Sequence, residues 1–348
     1  LYFIIDKYQL TMNIEKSLIV LSLTAISSYI IIKFFNKEKK KKLHNVGKIH
    51  SLYIYPIKSM KGIEVKIGEC TKRGLKCGEL EDRNFLVMDE SLKKYVTAKD
   101  YKKMLTIQPS IKNGILNLYS CLTQKDINIV IDDVTEKRHI IKVECYEKGI
   151  CEGLDCGDDV SDFLKEALGT SNNLRLIKYS SSLFNQRKAI VHKNQTLNYP
   201  IKKDHDVQYQ DEGPFMIMTT NSLDDLNNKI KDDVMSIERF RPTIMIECNE
   251  NISPFNEDYW NDIYVEDVKF YHMKPCTRCV ITMINSNTGS LSKNGEPLKT
   301  LRTYRLSPEK LRKVYGESPV MGVVVGILNG GIIKEGDTVY ASYKNLPC

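Results

Sequence analysis

No G-x-G-x-x-G follows a strand-like run in this 348-residue chain, and neither a G-x-x-x-x-G-K-[ST] loop nor an H-E-x-x-H pair occurs. These absences exclude the usual signatures of dinucleotide binding, nucleotide-phosphate cradling and helical zinc hydrolysis. No C-x-x-C-H haem attachment is present either. Six scattered histidines (His44, His50, His139, His192, His205 and His272) advertise no Cys/His or Ser/His nucleophile pair. There are no internal repeats, and the one low-complexity segment is a lysine run. With 42% hydrophobic and 27% charged residues the composition excludes a disordered chain. The length accommodates two ordinary domains.

A distributed basic surface is missing as well. The net charge is +7, but Lys33 to Lys42 holds six lysines against Glu38, or +5, leaving about +2 for everything else. A nucleic-acid binder spreads its cations over a folded face, so no nucleic-acid partner is expected. The lysine run follows "SLIVLSLTAISSYIIIKFF", Ser17 to Phe35, in which Ser17 to Ile32 carry no charge. With Lys33 snorkelling, this approaches the roughly 17 to 20 residues of a membrane span. A signal peptide places its cations before the apolar run, whereas here they follow it. The expectation is a single-pass signal anchor over residues 17–35, after a short segment 1–16 and before a basic linker 36–47. By the positive-inside rule the large C-terminal part then lies in the cytosol. Met12 is a candidate start, with "LYFIIDKYQLT" upstream of it. In a reducing cytosol the ten cysteines are expected as free thiols rather than a disulfide framework.

Beyond the lysines, short strands recur about every ten residues: "VGKIHSLYIYPIKSMKG", "VKIGECTKRG", "RNFLVMDES", "ILNLYS", "INIVIDD" and "HIIKVECYE". This spacing predicts a barrel or sandwich. "DDVSDFLKEALG" breaks the pattern: Val160, Phe163, Leu164, Ala167 and Leu168 fall at helical spacing, with Asp158 or Asp159 as N-cap and Gly169 as C-cap. A second helix is predicted for "NSLDDLNNKI", opened by Asn221 or Ser222 with Asp224 and Asp225 in its first turn. Then "TIMIEC", "DIYVEDVKFYHM", "CVITMI", "GVVVGIL" and "TVYA" read as strands of a second barrel. The boundary falls in the polar stretch near Ser180 to Asp206.

The chemistry-bearing stretch is "HMKPCTRCVI", His272 to Ile281. Zinc of the closed type needs four ligands. His272 is a candidate third beside Cys276 and Cys279, and a fourth is absent. A thioredoxin-like pair sits at a helix N-terminus, whereas Val280 to Ile284 reads as strand. Two inert core thiols is the third alternative. Four cationic patches bear on the choice: Lys58 with Ser59 in "YPIKSMKG", Arg83 in "EDRNF", Arg241 in "RFRP" and Arg278 in "CTRC". Together they suggest a pocket for a phosphate-like anion.

These residues lie in a longer pattern. "YPIKS", "DRNFLV", "GLDCGDDVSDFL", "QDEGPF", "RFRPTI", "CTRC", "TLRTYR" and "EGDTVY" occur in the order and spacing of the MOSC family of molybdenum-cofactor proteins. Within that family the chain resembles the mitochondrial amidoxime-reducing components, from about Ile49 to Tyr340. The resemblance implies a mainly β fold with some α: an N-terminal MOSC β-barrel subdomain (48–178) and a C-terminal MOSC β-barrel domain (185–345), preceded by one transmembrane helix. It implies the molybdenum cofactor, Mo-molybdopterin, between them. Cys279 matches the molybdenum ligand, in keeping with thiolate preference for soft metal centres, and is the expected catalytic position. Cys276 matches a non-ligand neighbour. Lys58, Ser59, Arg83, Asp211, Arg241, Thr277 and Arg278 match positions that hold the pterin and its phosphate. The chain departs from the pattern at three places. Glu212-Gly213 replaces the usual Thr-Ser, Thr243 replaces Asn, and Val324 stands where a tyrosine contact is usual. Glu212, Gly213 and Thr243 are carried as cofactor-site positions on that basis.

The activity so implied is reduction of N-hydroxylated compounds such as amidoximes and hydroxylamines, a two-electron N–O cleavage. Electrons would come from NADH through an NADH-dependent flavin reductase and a cytochrome b5-type haem protein. The alternative is a non-catalytic molybdenum-cofactor binding or carrier protein of the same family. The mitochondrial outer membrane is the expected location, with peroxisomal and endoplasmic-reticulum membranes open.

Overall fold

The alternating apolar positions of His44–Ile54 produce a strand whose buried side runs through Val46, Ile49, Leu52 and Ile54. In the computed structural model the described residues are 42–145, 149–184, 207–231, 233–307, 309, 312 and 316–344. The expected anchor over 17–35 lies outside them. Among the described residues no helix is long and apolar enough to cross a membrane.

The first strand is the seam of a closed sheet. It pairs antiparallel with Ile244–Cys248 on one side and Thr338–Tyr343 on the other. From Ile244–Cys248 the ring continues through Phe215–Thr219, Val320–Asn329, Val268–Thr277 and Trp260–Val265 back to Thr338–Tyr343. Six of its seven junctions are antiparallel. The exception, Phe215–Thr219 beside Ile244–Cys248, is parallel, and the helix Thr220–Lys229 provides the crossover that a parallel pair requires. The interior is filled by side chains including Trp260, Phe215 and Phe270, the last two edge to face at 5.2 Å.

A second closed barrel joins Phe85–Asp89, Lys94–Tyr95, Ile140–Glu144, Ile150–Asp155 and Leu174–Lys178. The helix Asp158–Leu168 contributes to the core of this region, together with the meander Ile107–Lys112, Ile115–Ser120 and Lys125–Val130. The fold is therefore mainly β, with barrels in both regions, as expected. The regions are also stitched together. The strand His44–Ile54 is built into the C-terminal barrel, and the late strand Gly331–Lys334 pairs with the early strand Ile67–Thr71.

Local expectations divide. The helix Asp158–Leu168 buries all five periodic residues and ends on Gly169 in the left-handed region, φ 68°. Its N-cap, however, is Gly157; Asp158 lies in the first turn, where its carboxylate pairs with Arg175. The second helix starts earlier than expected, at Thr220, because Thr219 Oγ1 accepts from the Ser222 N–H. "CVITMI" is not a strand. Val268–Thr277 ends before it, and Val280–Met283 forms a 3-10 turn. The Cys279 carbonyl accepts from Thr282 N–H and Oγ1, while Ile281 and Ile284 pack on Ala98 and Leu105. Tertiary contacts override the β-branched composition here. The strand expected over "INIVIDD" stops at Val130, and Ile131–Lys137 is helical, as is Leu298–Tyr304, for which the sequence suggests no element.

Candidate functional site

Three cavity residues hold backbone conformations that side chains rarely adopt. Ser59, Arg83 and Arg241 have φ of 66°, 51° and 56°. Such outliers persist only where surrounding structure fixes them, and each has an anchor nearby. Lys58 N–H donates to the Phe85 carbonyl at 3.0 Å, and Arg83 N–H to the Tyr55 carbonyl at 2.7 Å. Arg241 is the C-cap of the single turn Ile237–Phe240. The loop after the first strand, the approach to Phe85 and the turn before Ile244 are thereby fixed against one another.

Tyr55 organises the cations. Both guanidinium groups lie against its buried ring, Arg83 at 4.4 Å and Arg241 at 4.3 Å from the centroid. Its hydroxyl donates to the Pro242 carbonyl at 3.2 Å. Asp82, with a fully buried carboxylate, accepts from Arg83 Nη1 at 2.5 Å and from the Tyr55 N–H at 2.9 Å. Burial, reinforced by the neighbouring Arg83, pushes Arg241 down to about 10, which leaves it charged at neutral pH. Arg241 Nη1 donates to the Met60 carbonyl at 2.6 Å, but Nη2 is buried with no acceptor. Lys58 reaches the same region, its ammonium donating to the Tyr209 carbonyl at 3.0 Å and to Asp211 at 2.5 Å.

The two cysteines have different surroundings. Cys276 lies on the strand Val268–Thr277 against the apolar clusters around Met273 and Val324, and burial pushes its thiol up. Cys279 is the residue from which the 3-10 turn starts, and both cysteines line the cavity. Both are free thiols. Among the described residues no three His, Cys, Asp or Glu side chains gather into a metal-holding group, so His272 completes no zinc site.

Every residue matched to the cofactor site from sequence lines one cavity of about 300 Å³, which His272 does not line. They serve it differently. Arg278 is buried and spends its guanidinium on the fold, donating to the carbonyls of Met321 and Phe240. Thr243 Oγ1 accepts from the Met216 N–H at 3.3 Å. Glu212 is paired with the buried Lys274. At Gly213, an added Cβ would meet Val324 Cγ1 at 2.5 Å. The sequence reading missed Asp82, Lys99, Gln210, Arg239 and Phe240. Asp82 and Arg239 sit inside "EDRNF" and "RFRP", where an acid beside one arginine and a second arginine were visible. Lys99, exposed at the cavity mouth, has no local signal.

A phosphate-bearing ligand with a soft metal fits these donors. The buried Nη2 of Arg241 wants an acceptor, since an unmet buried donor costs about 1–3 kcal/mol. The backbone N–H groups of Glu212 and Gly213 have no partner among the described residues. Two thiols, Cys276 and Cys279, share the cavity with these donors, and burial pushes the Cys276 thiol up.

Comparison with known proteins agrees with this architecture. Residues 46–171 match the MOSC N-terminal beta barrel domain and residues 204–340 the MOSC domain. The chain belongs to the MOSC family. Among its relatives, mitochondrial amidoxime-reducing component 1 of Mus musculus is 33% identical over 311 residues, covering 87% of this chain and 84% of that one. The Homo sapiens protein of the same name is 33% identical over 302 residues, with 87% and 85% covered. Mitochondrial amidoxime reducing component 2 of Homo sapiens is 29% identical over 302 residues, with 87% and 85% covered.

Proposed function

We propose that the chain is a molybdenum-cofactor N-reductase acting on N-hydroxylated compounds. The observation that carries the reading is the convergence of Cys279 with Lys58, Arg83 and Arg241 on one cavity, where a buried Arg241 N–H still lacks an acceptor. Cys279 would hold the metal as a thiolate. Arg241 Nη2 and the backbone N–H groups of Glu212 and Gly213 would bind pterin and phosphate oxygens. Lys58, Ser59, Asp211, Thr243 and Thr277 would form the surrounding wall, with Arg278 holding it in shape. When bound, the cofactor supplies a two-electron exchange that cleaves the N–O bond, with uptake of two protons and release of water. The protein's own contribution is orientation, and positive charge that stays fixed before and after turnover.

With no dinucleotide or haem motif in the sequence, the electrons come from outside: a cytochrome b5-type haem protein supplied by an NADH-dependent flavin reductase. The apolar, lysine-flanked stretch 17–35 anchors the protein in a membrane, by analogy with its mitochondrial relatives the outer membrane of that organelle.

Molybdenum analysis of purified wild type, Cys279→Ala and Cys276→Ala tests the site. Cys279→Ala is expected to lose the metal and all activity, and Cys276→Ala to keep the metal. Equal molybdenum in wild type and Cys279→Ala overturns the assignment. Reconstitution with haem protein, flavin reductase, NADH and benzamidoxime tests turnover. Bound molybdenum without substrate-dependent NADH oxidation favours the carrier reading, for which the Val324 side chain pressed over Gly213 is the supporting observation.

A further inference from the structure

Three successive residues leading into the strand Phe215–Thr219 dock on three different partners. Asp211 accepts from Lys58, on the loop after the first strand. Glu212 pairs with Lys274 on the strand Val268–Thr277. Gly213 lies under Val324 of the strand Val320–Asn329. Lys274 and Val324 are themselves cross-strand partners in the register between those two strands. Two adjacent residues of one segment therefore meet two adjacent positions of a strand pair, and the four interlock.

Two of these contacts, at Lys274 and at Gly213, have a physical reason. Lys274 is 2% exposed, and an ammonium that deep requires an anion, here Glu212. The backbone of Gly213 is not in the left-handed region, so a side chain there is barred by space alone: 2.5 Å to Val324 Cγ1 and 3.3 Å to Met273 Sδ. Val324 cannot readily give way. It is β-branched, 4% exposed, and packed with Val207, Tyr271 and Met273. Glu212, Gly213 and Val324 also line the cavity that holds Cys279. Because the Glu212 carboxylate is matched by Lys274, the Val324 methyl groups are the side-chain surface this wall adds to its backbone N–H groups.

We propose that Glu212, Gly213, Lys274 and Val324 form one specificity-determining unit, which presents the Val324 methyls to the substituent on the substrate nitrogen. The cavity then prefers N-hydroxylated compounds carrying an apolar, ring-like group over small polar ones. The proposal rests on the N-reductase reading above and names its substrate class.

Two measurements on the full-length holoenzyme test it. In the first, Tm is read for Gly213→Ala, Val324→Ala and the double variant. Gly213→Ala alone lowers Tm, and adding Val324→Ala recovers much of that loss. Strictly additive changes overturn the interlock. The pair Glu212→Gln and Lys274→Met follows the same logic: Glu212→Gln lowers Tm and the double variant recovers it. In the second, kcat and KM are measured for benzamidoxime and for hydroxylamine. Val324→Ala lowers the benzamidoxime-to-hydroxylamine ratio of kcat/KM about tenfold, mainly through KM, as expected for lost apolar contacts. An unchanged ratio overturns the specificity role. A wild-type enzyme inactive on both substrates overturns the N-reductase reading and the substrate preference with it, while the Tm cycle still judges the interlock independently.

Discussion

Two guanidinium groups against one phenol ring make an arrangement that is costly until an anion arrives. Arg241 is held down to about 10 by burial and by Arg83, so in the absence of a ligand its charge opposes folding rather than favouring it. Arg241→Met should therefore change the stability of the cofactor-free protein by no more than about 1 kcal/mol, since removing a poorly compensated buried charge offsets its lost contacts. The same variant should purify with little or no molybdenum. Urea denaturation of the apo form and metal analysis of the holo form check the two halves. A large loss of apo stability would show Arg241 to be a structural residue. At this scale the sequence was partly legible. "RFRP" and "EDRNF" display the cations, but nothing local tells Arg278, spent on the carbonyls of Met321 and Phe240, from Arg241, which retains a free donor. The Glu212–Lys274 pairing spans 62 residues and leaves no pattern in either segment.

Among the elements, the helix Thr220–Lys229 begins on a buried acid. Glu257, fully buried in the 3-10 turn Asn256–Tyr259, accepts from Thr219 Oγ1 at 3.1 Å and from Ser222 Oγ at 2.9 Å. Burial, and then the neighbouring Asp258 carboxylate, raise its pKa well above the carboxylate range. The folded state thus binds a proton that the unfolded chain has already released. Stability is fully present below about pH 4.5, the ordinary value, and falls as pH rises through the folded pKa. Glu257→Gln removes this titration. Tm measured from pH 4.5 to 8 should fall more steeply for wild type than for Glu257→Gln; parallel curves would contradict the reading. Element type was legible where periodicity is strong, as in Asp158–Leu168, whose five apolar positions all face inward. It was not legible at Val280–Met283, where a strand-like composition is folded into a turn by the Cys279 carbonyl and by packing on Ala98 and Leu105. That turn sets the position of Cys279, so the local reading failed at the point closest to the chemistry.

Across the whole molecule, two barrels were legible from the spacing of short strands, but the way they share the chain was not. Register between strands almost three hundred residues apart has no local signature, so the assignment of His44–Ile54 to the C-terminal barrel emerges only from the structure. A fragment of residues 204–344 would leave Ile244–Cys248 and Thr338–Tyr343 as open edges. It should be insoluble or lack dispersed amide resonances, whereas the same fragment fused to residues 42–56 should gain solubility and dispersion. A well-folded 204–344 fragment would show that the seam strand is dispensable.

The same seam sets an order of events. His44 pairs with Ala341, so the seam strand waits for a partner that is made much later. Until Thr338–Tyr343 has been made the seven-stranded ring stays open, with its apolar interior exposed and dependent on long-range closure, the slow kind of folding. Lys58 and Arg83 are made before Cys279, and the ring that brings them together closes only once Thr338–Tyr343 has been made. Cofactor loading thus follows synthesis of Thr338–Tyr343, and a chain cut short before that strand loses the site even with every proposed ligand residue present.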